Sequence, residues 1–462
     1  MNLAINDPIF PQIAQALDKS VMTRIFLTAF SSPSEHFPLA PTIIKSCEIK
    51  NKRHKPGKSF VLSYDLIFLD NQTGETCELV VGARLCKSGC GLIELEEERA
   101  KYKKNTGLVS PVIYLSELEM LVWLFPNDRK LIHLVQILNV DNLLAHFTPM
   151  LLLWDCGSSS KVTDVQAEVL HYLPERSCMV RYIISVEIPG QSKIIQKIVY
   201  GKNYRDNRGG EVFSIMKQLA NQLPKCATPL AYDADTRTLW QSHITGIPLE
   251  WSDLETGHSS RLLLSMATCL AAFQKCRIDT SVGYGFKDID EQLFDTVQAA
   301  KPQDKLLAEQ ISDWVTKLIS LRDEISWPSD VAFPLHQDLH LGNFMMEGEN
   351  ACLIDLDSVC LGNPLADIGS LVSYFYRNGL QAGRDIDYVD NIVAVFLEHF
   401  ENAVSWRVCR YQLSWFIAAA LIHEVIRRLL RQRHEQGLKH LNSYFDLSKR
   451  FGLVIVKDRQ HA

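Results

Sequence analysis

The sequence predicts an α+β chain whose character changes near residue 245. Short β-rich runs dominate before that point: Phe60 to Phe68, Cys77 to Leu85, Cys178 to Ile188 and Lys193 to Tyr200 are rich in Val, Ile, Tyr and Phe. After it, Arg261 to Cys276, Lys305 to Arg322, Asn391 to Phe400 and Tyr411 to Gln432 carry apolar residues three and four apart, the spacing of one helix face. Strands followed by helices make a protein of two kinds of lobe.

The β-rich half carries a faint internal repeat. Pro56-Gly57-Lys58-Ser59-Phe60-Val61-Leu62-Ser63-Tyr64 lies on Pro174-Glu175-Arg176-Ser177-Cys178-Met179-Val180-Arg181-Tyr182, and the same offset sets Pro111 on Pro229, Tyr114 on Tyr232 and Leu121 on Leu239. Two blocks sharing one offset point to a duplicated β-lobe. The strand Lys193 to Tyr200 aligns with Glu78 to Leu85 after a small change of offset, which sets Gly82 against Lys197.

Composition narrows the function classes. Basic residues number 48 and acidic residues 54, a net charge of -6, so there is no basic excess to bind nucleic acid. The local runs Lys52 to Lys55 and Arg427 to Arg433 read as a solvated loop and a solvated helix face. Twelve scattered cysteines fit free thiols in a reducing cytoplasm rather than a disulfide framework. Met1 to Pro8 lacks the basic and apolar regions of a signal peptide. The most apolar stretches, such as Leu413 to Ile422, run about ten residues where a membrane span needs about 20.

The chemistry concentrates in Leu335-His336-Gln337-Asp338-Leu339-His340-Leu341-Gly342-Asn343-Phe344 and Leu353-Ile354-Asp355-Leu356-Asp357, joined by a tight turn through Glu347-Gly348-Glu349-Asn350. The pattern is HxDxxxxN, an apolar strand, a turn, and a second apolar strand that ends in aspartate. Phosphoryl transfer asks a protein for one carboxylate to take or orient the proton of an attacking hydroxyl, and for hard oxygen ligands that hold Mg²⁺ against phosphates. Asp338 suits the first task and Asn343 with Asp355 the second.

Phe333 to Asp367 resembles the catalytic core of the aminoglycoside phosphotransferase and choline kinase-like family. That family's usual HGDLHxGN stands here as HQDLHLGN, with Gln337 for the common glycine and Leu341 for the common proline. Gly362-Asn363-Pro364-Leu365-Ala366-Asp367-Ile368-Gly369 is similar to its G-x-P-x-x-D-[LI] segment. The resemblance implies a bilobal protein-kinase-like fold, a β-rich N-lobe and a helical C-lobe, with ATP and Mg²⁺ as cofactors. It implies Asp338 as catalytic base and Asn343 and Asp355 as metal ligands, supported by His336, Asp357 and Asp367. Gln196 to Glu211 is similar to the family's lysine strand and following helix, which assigns Lys197 to the nucleotide phosphates, with Lys202 as runner-up, and Glu211 as the partner of Lys197. Pro174-Glu175-Arg176-Ser177 falls where a phosphate-covering turn belongs, with Arg176 and Ser177 as contacts and no glycine. Ser242, His243 and Ile244 fall at the hinge that meets adenine.

The expected organisation is an extra β-rich lobe at 1–155, a kinase N-lobe at 156–245 and a catalytic and substrate-binding C-lobe at 246–462. The expected activity is transfer of the γ-phosphoryl group of ATP to a hydroxyl of a small molecule: a sugar, an aminoglycoside or an amino alcohol. The alternative is a nucleotide-binding pseudokinase that serves as a scaffold or regulator.

Overall fold

The computed structural model describes residues 7–30, 43–69, 74–106, 111–154, 160–189, 194–302, 304–323, 325, 332–432 and 438–458. The boundary expected at 155/156 falls outside them. Two compact units form, Met1–Gly210 with Leu230–Ser242, and Glu211–Pro229 with His243–Ala462.

The first unit is a duplication in three dimensions. One five-stranded sheet consists of β1 (Ile43–Lys55), β2 (Ser59–Leu69), β3 (Thr76–Leu85), β4 (Val112–Leu115) and β5 (Met120–Leu124), in the order β1-β2-β3-β5-β4. The second consists of β6 (Lys161–Leu173), β7 (Ser177–Glu187), β8 (Ile195–Tyr204), β9 (Pro229–Asp233) and β10 (Thr238–Ser242), in the order β6-β7-β8-β10-β9. The ladders superimpose with a constant displacement of 118 residues, as from Ser59 to Ser177. Phe60 pairs with Leu85 as Cys178 pairs with Asn203, and Leu85 pairs with Met120 as Asn203 pairs with Thr238. Even the first β-bulge repeats, between Ile44 and Ser46 and between Val162 and Asp164. The register removes the change of offset expected in the lysine strand. Leu66 pairs with Leu79 where Ile184 pairs with Lys197, so the counterpart of Lys197 is Leu79, not Gly82.

Each sheet packs one face on helices that precede it. In the first copy Met22, Phe26 and Phe30 of the helix Lys19–Phe30 bury against Phe60, Tyr64 and Phe68. In the second, Ile137, Leu143 and Phe147 bury against Tyr182, Val199 and Trp240. The strict alternation of buried and half-buried residues along most of β7 is the period-two pattern of a one-sided core. Burial of such a side chain contributes about 1.5–3 kcal/mol. A polar contact is duplicated too: the Tyr64 hydroxyl donates to the Ala16 carbonyl at 2.7 Å and the Tyr182 hydroxyl to the Ile137 carbonyl at 2.8 Å.

A second duplicated device fixes the first hairpin turn of each copy. Buried Asp7 accepts the Gly57 backbone N–H at 2.9 Å and pairs with His54, and buried Asp128 accepts the Glu175 N–H at 3.0 Å and the Tyr172 hydroxyl at 2.7 Å. Here the displacement is 121 residues, from Asp7 to Asp128, because the helical region that follows differs in length by three. Burial opposes ionisation of both acids. The Gly57 amide and His54 outweigh it at Asp7 and hold its pKa below the usual carboxylate value, whereas burial prevails at Asp128 and raises it.

The second unit is helical around a short hairpin. The helix Leu365–Gln381 is buried along nearly its whole length, and the helices Ser259–Lys275, Ile386–Ala403, Arg410–Ala420 and Leu441–Asp458 belong to the same unit. Tyr411 to Gln432, expected as one helix, is interrupted by a π-helical turn at Leu421–Ile426, which re-aims the residues after it. Phe344–Glu347 and Asn350–Leu353 form the expected hairpin, turning at Gly348 with φ +62°.

Because both hydroxyls meet buried carbonyls, Tyr64→Phe and Tyr182→Phe should each cost about 1 kcal/mol. Urea unfolding of the two variants checks this. Losses that differ widely between the two sites would contradict the equivalence of the copies.

Candidate active site

The HQDLHLGN loop hangs on one buried carboxylate. Asp367, in the first turn of Leu365–Gln381, accepts the backbone N–H of His336 at 2.6 Å and of Gln337 at 3.0 Å. Gln337 adopts φ +68°, the left-handed region, which explains why glycine is common there. The two hydrogen bonds to Asp367 hold a side-chain-bearing residue in a conformation that costs about 1–2 kcal/mol. Buried His336 contacts the Ile354 carbonyl through Nε2 at 2.8 Å, so Nε2 carries the proton. The Ile354 N–H donates to the Asn343 carbonyl at 3.0 Å, and Phe344 pairs with Leu353. Asn343 and Asp355 therefore flank the open end of one hairpin.

Asn343 is buried and its Nδ2 donates to the Asp338 carbonyl at 2.6 Å, which leaves Oδ1 as its acceptor atom. Asp355 is exposed with φ +58°, and Asp357 is half-buried in the turn Leu356–Ser358. Among the described residues no set of three or more His, Cys, Asp or Glu side chains stands together as a metal cage. Two oxygen donors of this kind suit a hard cation that takes its remaining ligands from water and phosphate, as Mg²⁺ does.

Sequence reasoning missed the basic and acidic groups behind Asp338. Arg428 Nη2 lies 4.0 Å from Asp338 Oδ1, and its guanidinium stands 5.5 Å from the Tyr374 ring centre. The expected solvated face is thus more than that: Arg428 reaches Asp338, and Arg431 pairs with Asp295. Glu424 is half-buried and accepts from Ser370 Oγ at 2.5 Å. Burial pushes its pKa up to about 7, with the nearby Asp338 charge adding to the effect. Only the helical spacing of Glu424 and Arg428 hinted that they share a face.

Lys197, Arg176, Ser177 and Ser242 belong to the first unit, and Glu211, His243 and Ile244 to the second. Lys197 is half-buried on the β8 face that Val199 contributes to the apolar core. Lys202 lies on the opposite face, with its Nζ 5.9 Å from the Tyr204 ring centre. By the constant displacement the counterpart of Lys202 is Arg84, whose Nε stands 4.0 Å from Glu94 on the following helix Gly91–Thr106. The first copy therefore holds a strand cation beside a helix acid at the position of Lys202, not of Lys197. Glu211 lies in the first turn of Arg208–Ala220. Ser242 closes β10 opposite Val199, and Ile247 and Pro248 pair with Met346 and Met345 of the Phe344–Leu353 hairpin.

The turn without glycine has a physical explanation. Glu175 takes the place of Gly57 and keeps its left-handed backbone, φ +59° against +65°. Its carboxylate, 4% exposed, lies 3.4 Å from Arg84, 3.4 Å from Arg129, 3.8 Å from Arg53 and 3.9 Å from Lys130. Arg53 thus belongs to a strand and an ion cluster, not to the solvated loop expected for Lys52 to Lys55. Arg176 and Ser177 flank this anchored residue, and the Arg176 carbonyl accepts the Arg205 N–H at 3.3 Å.

Glu175→Ala leaves several partly buried cations without their shared anion and should cost about 2 kcal/mol in urea unfolding. A loss below about 0.5 kcal/mol would show that solvent already screens the cluster. At Glu424 the folded pKa lies above the unfolded value of 4.5, so the folded state binds the extra proton between pH 4.5 and 7 and stability falls as pH rises through that window. Glu424→Gln should remove this slope, up to about 3 kcal/mol, as read from unfolding midpoints at pH 5 and pH 8. Identical pH profiles for variant and wild type would refute the assignment.

The sequence model of the phosphotransferase enzyme family matches residues 205–392. A comparison with curated protein sequences gives no match. Among solved structures, the chain is similar to choline kinase from Cryptosporidium parvum Iowa II, with 12% identity and TM-score 0.48 over 67% of this chain and 95% of that one. It is similar to a choline/ethanolamine kinase family protein from Mesorhizobium loti, with 12% identity and TM-score 0.44 over 67% and 94%. A third similar structure is a spectinomycin phosphotransferase solved with ADP and spectinomycin, with 11% identity and TM-score 0.42 over 69% and 98%. The HQDLHLGN loop and its hairpin lie inside residues 205–392, the segment that the phosphotransferase enzyme family model matches.

Proposed function

We propose that this chain is an ATP-dependent phosphotransferase that moves the γ-phosphoryl group to a hydroxyl of a small molecule. The observation that carries the reading is the single hydrogen-bonded network that ties Asp338, Asn343 and Asp355 to one hairpin and to Asp367. Asp338 accepts or orients the proton of the acceptor hydroxyl. Its carboxylate is half-exposed, so a substrate can reach it, and the Arg428 guanidinium lies 4.0 Å away. Asn343 and Asp355 would hold Mg²⁺, which neutralises phosphate charge when bound. Arg428 is also placed to stabilise charge on the transferred group.

In the first unit, two lysines of β8 compete for the phosphates. The Arg84–Glu94 pair of the first copy favours Lys202 over Lys197. The backbone around Ser242, His243 and Ile244 would read adenine. Glu175 anchors the turn that carries Arg176 and Ser177, which makes the first copy a brace for the phosphate-covering turn of the second. A cytoplasmic setting fits the free thiols of all the described cysteines. Among the described residues no helix is long and apolar enough to cross a membrane.

Phosphoryl transfer from Mg-ATP to a panel of hydroxyl acceptors tests the reading. Asp338→Ala should lower the transfer rate by at least about a thousandfold while Mg-ATP binding persists. Lys202→Ala should raise the KM for ATP more than Lys197→Ala does. A wild-type protein that binds Mg-ATP and phosphorylates nothing would favour the scaffold alternative.

A further inference from the structure

The cavity beside the catalytic loop has the wrong charge for a cationic acceptor. It encloses about 380 Å³, the size of a monosaccharide-scale ligand, and its wall includes Trp251, His340, Tyr374, Arg377, Arg428 and Glu250. Two guanidinium groups, Arg377 and Arg428, flank the Tyr374 ring at 5.5 Å each. Arg428 is matched by Asp338. Arg377 forms no ion pair among the described residues, and its buried Nε has no hydrogen-bond partner there. The one acid on the wall, Glu250, is exposed and takes part in the cap of the turn Trp251–Glu255. Burial lowers the His340 pKa, so its ring is neutral near pH 7.

A partly buried guanidinium whose Nε lacks a partner gains most from an anionic ligand. The planar fork of arginine suits a carboxylate or phosphate bidentately. We propose that the acceptor carries an oxyanion, a phosphate ester or a carboxylate, that Arg377 binds, so that a hydroxyl of the same molecule is presented to Asp338. This rests on the phosphotransferase reading above and narrows its acceptor. The acceptor oxygen bonds to the γ-phosphorus as the bond to the β–γ bridging oxygen breaks. ADP leaves with that oxygen, and the hydroxyl proton passes to the Asp338 carboxylate. Amino alcohols and aminoglycosides present cations to the same wall and are disfavoured.

The test uses one carbon skeleton in four charge states: glucosamine, glucose, gluconate and glucose 6-phosphate. Each is titrated calorimetrically into the full chain, wild type, Arg377→Ala, Arg377→Gln and Arg377→Lys, with thermal unfolding as the control for folding. At least one anion should bind at least about tenfold more tightly than glucose. Arg377→Ala and Arg377→Gln should remove most of that difference and Arg377→Lys should keep part of it. Comparison of gluconate with glucose 6-phosphate tells carboxylate from phosphate. Equal binding of glucose or glucosamine, or an unchanged ranking in both neutral variants, overturns the proposal, as does a rise in the KM for ATP with the neutral acceptor in place of an acceptor effect. Transfer from Mg-ATP in the same samples separates the two readings. Arg377-dependent anion binding without transfer to any acceptor supports the anion site and counts against the phosphotransferase. Preferred transfer to glucosamine does the reverse.

Discussion

A buried carboxylate that accepts backbone amides is the constraint on which this molecule depends. Asp367 holds the His336 and Gln337 N–H groups, Asp128 holds that of Glu175, and Asp7 holds that of Gly57. In each case a turn that could not fix itself by strand or helix ladders is fixed by an acid whose ionisation burial opposes. The geometry is specific because an unpaired carboxylate in such a place would be far more costly than the hydrogen bonds that satisfy it. At the catalytic loop the consequence is chemical. Asp338 and Asn343 project from a backbone whose shape is set before any ligand arrives.

The duplication shows how one architecture diverges. The ladders of the two sheets keep the same register although few residues are identical between them. What changed is the chemistry at equivalent positions. Lysine at 202 stands where the first copy has arginine at 84, and Glu175 stands where it has the turn glycine Gly57. That glutamate lost nothing in backbone geometry and gained an anchor among Arg53, Arg84 and Arg129. A basic strand position in the first copy thus serves a carboxylate of the second.

Fold class, the change from strands to helices, the repeat and the catalytic hairpin were legible because each is written in local periodicity and turn chemistry. HxDxxxxN with its following strand sets the spacing of Asp338, Asn343 and Asp355 along the chain, and a turn with Gly348 can close in only one way. The register of the lysine strand was misread by three residues because runs of consecutive apolar residues, Leu79-Val80-Val81 and Ile198-Val199, leave the alternation degenerate. Only the hydrogen-bonded partners, Ile184 with Lys197 and Leu66 with Leu79, break that degeneracy.

The sequence by itself determined which acids and amides could perform the chemistry, since their identities and close spacing admit few other arrangements. Tertiary structure decided what surrounds them. Arg377, Glu424 and Arg428 are remote in sequence from Asp338, and their charges matter only through distance and burial, quantities that no run of letters contains. The same holds for Glu175, which reads as an ordinary turn acid until cations from β1, β3 and the stretch after β5 are seen to meet it.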